Sequence, residues 1–455
     1  MPPAALLADP VTPVAADGGG RVRGLITRVR TDSLVRNSVL VMATTGVNAA
    51  FGYLFWIAAA RSFTPVAVGQ ATAAISAMNL AGLIATLGVG TALIAHLPGL
   101  AGRHDERSRH LTAAVAYTGV AGLLFGIGLV VVLPMIDAQL APLVRGWAAV
   151  VVVAGVVAQV WGVVLDGLFV AERRAEGLLA RNAGFAVLKL VLLVAGAAAL
   201  AVGGRYIVTA WVVASVVTLL GTVVFLVRRL LEPLRVAPGG AVAEVRRMAR
   251  PALVHHLAVL GGEVPMFLLP VIVVARAGAA EGAFFYTTWM VGSLFFTISA
   301  AASASLFAEG GYAPDQLRHQ RRRTTRLIAA LLAPVMIGML VAGPLVLGLF
   351  GPQYAAAGYP LLVLLVISAV PDAVTNVGVA QWRVQGRTGR VAALNVGMAS
   401  VTLVGTWLLA PVLGVVAPGW AWLTAQTLGT VVVLVDGVMS RRSDSIPSEV
   451  LACAS

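Results

Sequence analysis

Long apolar runs separated by short polar ones account for most of this chain. Twelve runs stand out: residues 38–59, 71–97, 111–135, 147–170, 183–202 and 207–227, then 252–275, 283–307, 327–350, 359–381, 391–414 and 418–439. Each is near the roughly 20 residues that an α-helix needs to cross a hydrocarbon core about 30 Å thick. A barrel strand would instead alternate apolar and polar residues over about ten positions. Backbone polar groups find no water in hydrocarbon, so continuous runs of this length predict helices. Only Gly203-Gly204-Arg205-Tyr206 separates the fifth run from the sixth, which predicts an antiparallel hairpin.

Composition places these helices in lipid. Hydrophobic residues make up 59% of the 455, and charged residues 11%, against about 25% charged in an ordinary soluble domain. The net charge of +13 would suit nucleic acid, but the placement of the charges argues against it. Of the 32 basic residues, 27 lie at the termini or in alternate loops, within 21–36, 103–109, 173–181, 228–250, 318–326, 383–390 and 441–442. The other loops hold only Arg61, Arg145, Arg205 and Arg276, and Lys189, the one lysine, falls inside a run. Positive-inside asymmetry then predicts an inner-membrane protein with both termini in the cytoplasm. The first 37 residues are rich in Pro, Gly and Arg and have no apolar core, so no cleavable signal peptide is expected. Cys453, the single cysteine, allows no internal disulfide.

Residues 228–251 divide the runs six and six. Pro233, Pro238 and the Gly239-Gly240 pair make this stretch a linker. The domain reading is a basic cytoplasmic tail (1–37), an N-lobe (38–227), the linker, a C-lobe (252–439) and a second tail (440–455). With an even number of spans, both halves begin and end on the same side, so they are parallel repeats about an axis along the membrane normal. Sequence echoes agree: Ala60-Arg61 matches Ala275-Arg276, Gly69 approximates Gly282, and "AERRAEGLLAR" (171–181) returns 209 residues later as "AQWRVQGRTGR" (380–390). The fold class is therefore an all-α polytopic membrane protein of about twelve transmembrane helices, in two parallel six-helix repeats.

The stretch Ala60-Arg61-Ser62-Phe63-Thr64-Pro65-Val66-Ala67-Val68-Gly69, after an aromatic-bearing first helix, resembles the bacterial polysaccharide flippases of O-antigen-repeat type. These belong to the multidrug, oligosaccharidyl-lipid and polysaccharide exporter superfamily. The likeness extends through "LGVGTALIAHLP" (87–98), the basic hairpin and "ASLFAEGG" (304–311), over roughly 38–439. The second half lacks the Thr-Pro pair. This resemblance implies two lobes forming a V around a central cavity that opens alternately to each side. It also implies a polyprenyl-diphosphate-linked glycan as the molecule moved, from the inner to the outer leaflet.

Ionisable groups inside a span cost roughly 2.5–3.5 kcal/mol at a helix centre, so each needs a partner or a task. The candidates are Asp166, Lys189, Glu263, Asp372 and Asp436. Counted from the ends of the 173–181 hairpin, Asp166 and Lys189 lie at similar depth, which leaves two readings: a structural ion pair, or a lysine facing the cavity and meeting a diphosphate. At the 209-residue offset, half two has Met398 in place of Lys189. Glu263, between a Gly pair and two prolines in "GGEVPMFLLP", suggests a kinked helix. A buried carboxylate there would serve as a proton- or sodium-coupled hinge, or merely bond a carbonyl. Asp372, beside Pro371 and four residues before Asn376, raises the same pair of readings, and Asp166 joins these two as a coupling candidate. Asn48 and Gln159 could bind sugar hydroxyls or bridge helices. His255 and His256, adjacent, diverge by about 100° and cannot form a zinc pair.

Arg174, Arg181, Arg383 and Arg390 recur with the hairpin, either for topology alone or as a cationic collar for a diphosphate. Arg61 and Arg276 run against the topological grain, which makes them substrate-binding candidates together with Lys189 and Asn48. No catalytic residue, metal site or cofactor is indicated, and the expected partners are the bilayer, the lipid-linked glycan and polysaccharide assembly proteins, not nucleic acid. An exporter of amphipathic drugs from the same superfamily is the nearer alternative. An integral-membrane glycosyltransferase or polymerase is the more distant one, because only Asp137 and Glu281 lie in the outer loops.

Overall fold

The computed structural model describes residues 33–100, 102–199, 203–229, 260, 262–312 and 317–444. Residues 1–32 and 445–455 of the tails, most of the 228–251 linker, His255, His256 and Cys453 lie outside the described residues. Half one comprises α1 (Ser33–Ser62), α2 (Pro65–Thr86), the short α3 (Val89–His96), α4 (His104–Ile136), α5 (Trp147–Ala171), α6 (Ala175–Ala198) and α7 (Gly204–Arg229). Half two comprises α8 (262–277), α9 (Ala279–Tyr312), α10 (Leu317–Gly348), α11 (Pro352–Val384), α12 (Thr388–Leu413) and α13 (Ala417–Asp444). Among the described residues ten stretches are long and apolar enough to cross a membrane, and one of them, Thr388–Met439, contains both α12 and α13. With those two counted apart and α8 added, the described helices of this kind number twelve, in keeping with a multi-pass membrane protein.

The span expected over 71–97 is not one helix. It breaks at Leu87 and Gly88, both left-handed with φ of 43° and 78°, and restarts as α3. Glycine takes that conformation freely, and the Leu87 backbone N–H still closes the end of α2 by donating to Ile84 O at 3.2 Å. The start of α2 is set by Thr64, whose hydroxyl accepts from the Ala67 N–H at 3.3 Å, with Pro65 in the first turn.

Two helix starts recur at one spacing: Ala175 and Thr388, and Gly204 and Ala417, are each 213 residues apart. The hairpins repeat at the same offset. The Arg174 N–H donates to Phe169 O and the Arg387 N–H to Trp382 O, both at 2.9 Å, around left-handed Arg173 (φ 53°) and Gly386 (φ 70°). This is one helix-ending turn built twice. It corrects the 209-residue echo, which is displaced by four residues, about one helical turn. Arg174 corresponds to Arg387, and the half-two counterpart of Lys189 is Thr402, not Met398.

The start of α1 lies beside the 173–176 turn, as does Arg107, and the end of α13 beside the 385–390 turn; this end of the bundle is here the basic end. The halves meet towards the other. α2, rich in Ala and Gly, packs on α4, α5 and α7 of its own half and on α9 of the other. Small residues let backbones approach closely where lipid provides no hydrophobic drive. A Cβ on Gly69 would fall 1.6 Å from the Ala279 carbonyl oxygen, so only glycine fits there. Trp56 packs on Tyr286 at 4.9 Å between ring centroids, and the Tyr53 hydroxyl donates to Met290 O at 2.7 Å. Arg61 donates to Leu349 O (2.8 Å) and Gly348 O (2.7 Å), capping the last carbonyls of α10 across the seam.

Overpacking a seam this tight costs about 1–3 kcal/mol. Gly69→Leu is therefore expected to part the halves at this end. In a Cys453→Ser background, a cysteine placed at Ala283, itself fully buried, should react with a water-soluble maleimide about tenfold faster in the variant. An unchanged rate would contradict the packing.

Candidate functional site

Lys189 is carried by α6 into the interior of half one, where it is 4% exposed. Its ammonium is enclosed by rings from three helices: Trp211 of α7 at 4.2 Å from the centroid, Phe185 of α6 at 4.8 Å and Phe55 of α1 at 5.4 Å. All three lie within the roughly 6 Å over which a ring face attracts a cation, an interaction worth about 2 kcal/mol or more when desolvated. Among the described residues no hydrogen bond or ion pair is made by Lys189. The rings are tied to one another and to the seam: Phe55 packs edge-on against Trp211 at 5.3 Å, and its neighbour Trp56 contacts Tyr286 of half two. Half two has no such box. Met398, Thr402 and Thr424 stand where half one has Phe185, Lys189 and Trp211.

The Asp166–Lys189 ion pair is corrected by this geometry. Asp166 instead takes a two-point bond from Arg181, Nε to Oδ1 at 2.9 Å and Nη2 to Oδ2 at 2.5 Å. The reason is the turn: α6 begins at Ala175, so Arg181 and Asn182 lie level with Asp166, and Lys189 is about 11 Å deeper at 1.5 Å per residue. Asn182 donates to Asp166 Oδ1 at 3.3 Å, and Asn48 donates to Asn182 Oδ1 at 3.1 Å, so Asn48 bridges α1 to this network. Half two builds a comparable lock from other positions. Asp436 of α13 accepts from Trp382 Nε1 (2.9 Å), Arg387 Nη1 (3.3 Å) and Arg390. Arg181 and Arg390 are thus bound to carboxylates, while Arg174 and Arg383 are exposed and form no ion pair among the described residues.

Asp372 of α11 is 5% exposed. It accepts from Ser299 Oγ of α9 at 2.5 Å and from Asn376 Nδ2 at 3.0 Å, and no cationic side chain pairs with it among the described residues. The half-one counterparts of Asp372 and Ser299 are Gln159 and Thr86. Among the described residues each half therefore buries a charged-type side chain that the other lacks, a lysine in half one and a carboxylate in half two. Glu263 does not follow its expectation of burial: it is exposed, one residue inside the described part of α8. At the 215-residue offset of Arg61 and Arg276 it corresponds to Asn48, also exposed. Arg276 donates from Nε to Trp407 O at 3.2 Å, and its guanidinium lies 4.7 Å from the Trp407 ring, within half two.

The sequence reading missed the box of Phe55, Phe185 and Trp211, as well as Ser299. Phe185 lies four residues before Lys189, the helical spacing that puts both on one face; the other two rings come from distant helices and had no local signal.

No family model matches the chain, and no curated protein matches it. Solved structures do. An inward-facing multidrug resistance MATE family transporter of the MOP superfamily is similar at a TM-score of 0.64 with 18% identity, over 90% of this chain and 98% of the other. The lipid II flippase MurJ, in an inward closed conformation, is similar at 0.69 with 8% identity, over 88% and 87%. An outward-facing form of a MATE family transporter is similar at 0.53 with 18% identity, over 90% and 96%.

Removing one partner of a buried ion pair costs about 3–5 kcal/mol, because the other charge is left unpaired. Arg181→Met is expected to lower thermal stability in detergent by several degrees, and the double replacement Asp166→Leu with Arg181→Met to restore most of it. Equal loss in both variants would contradict the pairing. With two six-helix repeats, a seam near one end and a buried ionisable group in each half, the chain has the fold of the MOP-superfamily transporters.

Proposed function

We propose that this protein is an alternating-access transporter that flips a polyprenyl-diphosphate-linked oligosaccharide from the inner to the outer leaflet during cell-surface polysaccharide synthesis. The observation that carries the reading is Lys189: a buried cation without a carboxylate, beside the seam where the halves must part. A lone ammonium in an aromatic box is costly to keep and attracts an anion once the seam loosens. A diphosphate head group supplies that anion, and Trp211 and Trp56 supply flat faces for sugar rings.

Both termini and the basic loops are assigned to the cytoplasm, consistent with their 27 basic residues. The state described is then closed on the outside, by the Arg61 cap and the contact at Gly69. The better superposition on the inward-facing relative than on the outward-facing one, 0.64 against 0.53, supports that reading. Asp372, hydrogen-bonded but without a cationic partner, is the coupling group, charged in one stage of the cycle and neutralised in the other. Glu263 and Asn48 contribute to the wall of the inner cavity, and Arg174 and Arg383 to its cationic rim.

A second reading, export of an amphipathic cationic drug, draws support from the same carboxylates and from the multidrug transporters among the relatives of this fold. The two readings assign opposite charges to the molecule carried. Export in cells depleted of the native transporter separates them. Lys189→Met, expressed at wild-type level, is expected to reduce surface glycan at least tenfold and strand lipid-linked glycan inside, and Lys189→Arg to retain part of the activity. Full export by Lys189→Met would overturn the proposal, and a change in resistance to amphipathic cations without a change in glycan would establish the second reading.

A further inference from the structure

One feature of half two is left unused by transport between the lobes. Between α12 and α13, with Trp382 of α11 at one end, lies an open groove of about 640 Å³, within the roughly 300–1,000 Å³ usual for ligand sites. Its walls are apolar: Leu394, Val401, Leu428, Val432 and Met439 are among the residues that line it, and Leu428, Val432 and Met439 are exposed. From Ala425 to Met439 the groove follows α13 for about 21 Å at 1.5 Å per residue. That exceeds the depth of one leaflet's hydrocarbon, about half of a 30 Å core.

Gly397 keeps the groove open. A Cβ there would meet nothing within 4 Å, whereas one on its half-one counterpart, Gly184, would touch Thr218 at 3.7 Å.

The charges at the groove's basic end do not cancel. Asp436 is a single carboxylate, yet it is shared by Arg387 and Arg390, whose side chains remain 38% and 55% exposed. One positive charge is left over. Half one has no equivalent, because Gly177 and Val223 stand in the places of Arg390 and Asp436. Basic pockets between transmembrane helices select anionic head groups, and arginine holds phosphate oxygens with paired donors.

We infer that this groove binds one anionic phospholipid of the leaflet at the basic end, with an acyl chain along Leu394, Val401 and Val432 and its phosphate on Arg387 and Arg390. This lipid is a resident of the site, not the molecule transported, and the inference stands whether or not the transport reading does.

Native mass spectrometry of the purified full-length chain tests it, with phosphatidylglycerol and phosphatidylcholine added separately in detergent. The wild type should retain one phosphatidylglycerol at least fivefold more strongly than phosphatidylcholine. Gly397→Phe, whose Cβ would meet nothing within 4 Å and whose ring occupies the groove, should abolish that adduct. Arg387→Gln with Arg390→Gln should remove the preference between the two lipids. Equal retention of both lipids by the wild type would overturn the inference. So would a phosphatidylglycerol adduct that survives Gly397→Phe, since the lipid would then be bound elsewhere, by the substrate path or by the shared annulus.

Discussion

The architecture turns on the approach of α2 to α9 at Gly69, where no side chain fits between two backbones. In lipid, apolar surface alone does not hold two bundles together, because lipid tails are as apolar as leucine. Cohesion has to come from close packing and from hydrogen bonds between helices. Both are concentrated at this one end: small residues along α2, the Trp56–Tyr286 stack, and three hydrogen bonds from Tyr53 and Arg61 to carbonyls of the other half. Tyr53 and Arg61 each carry hydrogen bonds across the seam. A seam confined to one end leaves the other free to part, and a shallow set of contacts can exchange with an alternative set without unfolding either bundle.

The duplication preserves backbone and discards chemistry. Helix starts and hairpin turns recur at 213 residues, down to the same backbone hydrogen bond closing each turn. The ionisable groups do not follow. Phe185, Lys189 and Trp211 of half one are matched in half two by Met398, Thr402 and Thr424, and the carboxylate of half two is matched by Gln159 in half one. Each lobe is locked near the basic end by a carboxylate and arginine, but the carboxylate comes from α5 in half one and from α13 in half two. The helix-ending turns are alike in the two halves, while the interiors bury ionisable groups of opposite kind, Lys189 and Asp372.

How much of this was visible in the sequence follows from the range of each signal. The spans were legible because burial in lipid imposes a continuous apolar run of fixed length; among the described residues only Leu87–Gly88 interrupts a span as drawn, since a two-residue left-handed break barely alters hydropathy. The halves were legible from Arg61 and Arg276. Register was not: the echo of 171–181 in 380–390 matched glycines that occupy different places in the turn, and a four-residue error preserves helical facing, so nothing local exposed it. Asp166 was set opposite Lys189 for a separate reason: the turn was drawn through residue 181, whereas α6 already begins at Ala175. The aromatic box could not be read at all, because Phe55, Phe185 and Trp211 converge from three helices separated by up to 156 positions. Glu263 misled because Gly and Pro around a carboxylate describe a kinked helix equally well whether its side chain is buried or faces an open space.

The account stands on a seam that closes one end while the other is free to open. Paired spin labels, one pair spanning the halves near Arg61 and Leu349 and a second near Arg174 and Arg383, measure both ends in a single reconstituted sample. When lipid-linked glycan is added, the distance at the first pair should lengthen as the second shortens. Distances that change together, or a second pair that stays fixed while the first lengthens, would contradict it.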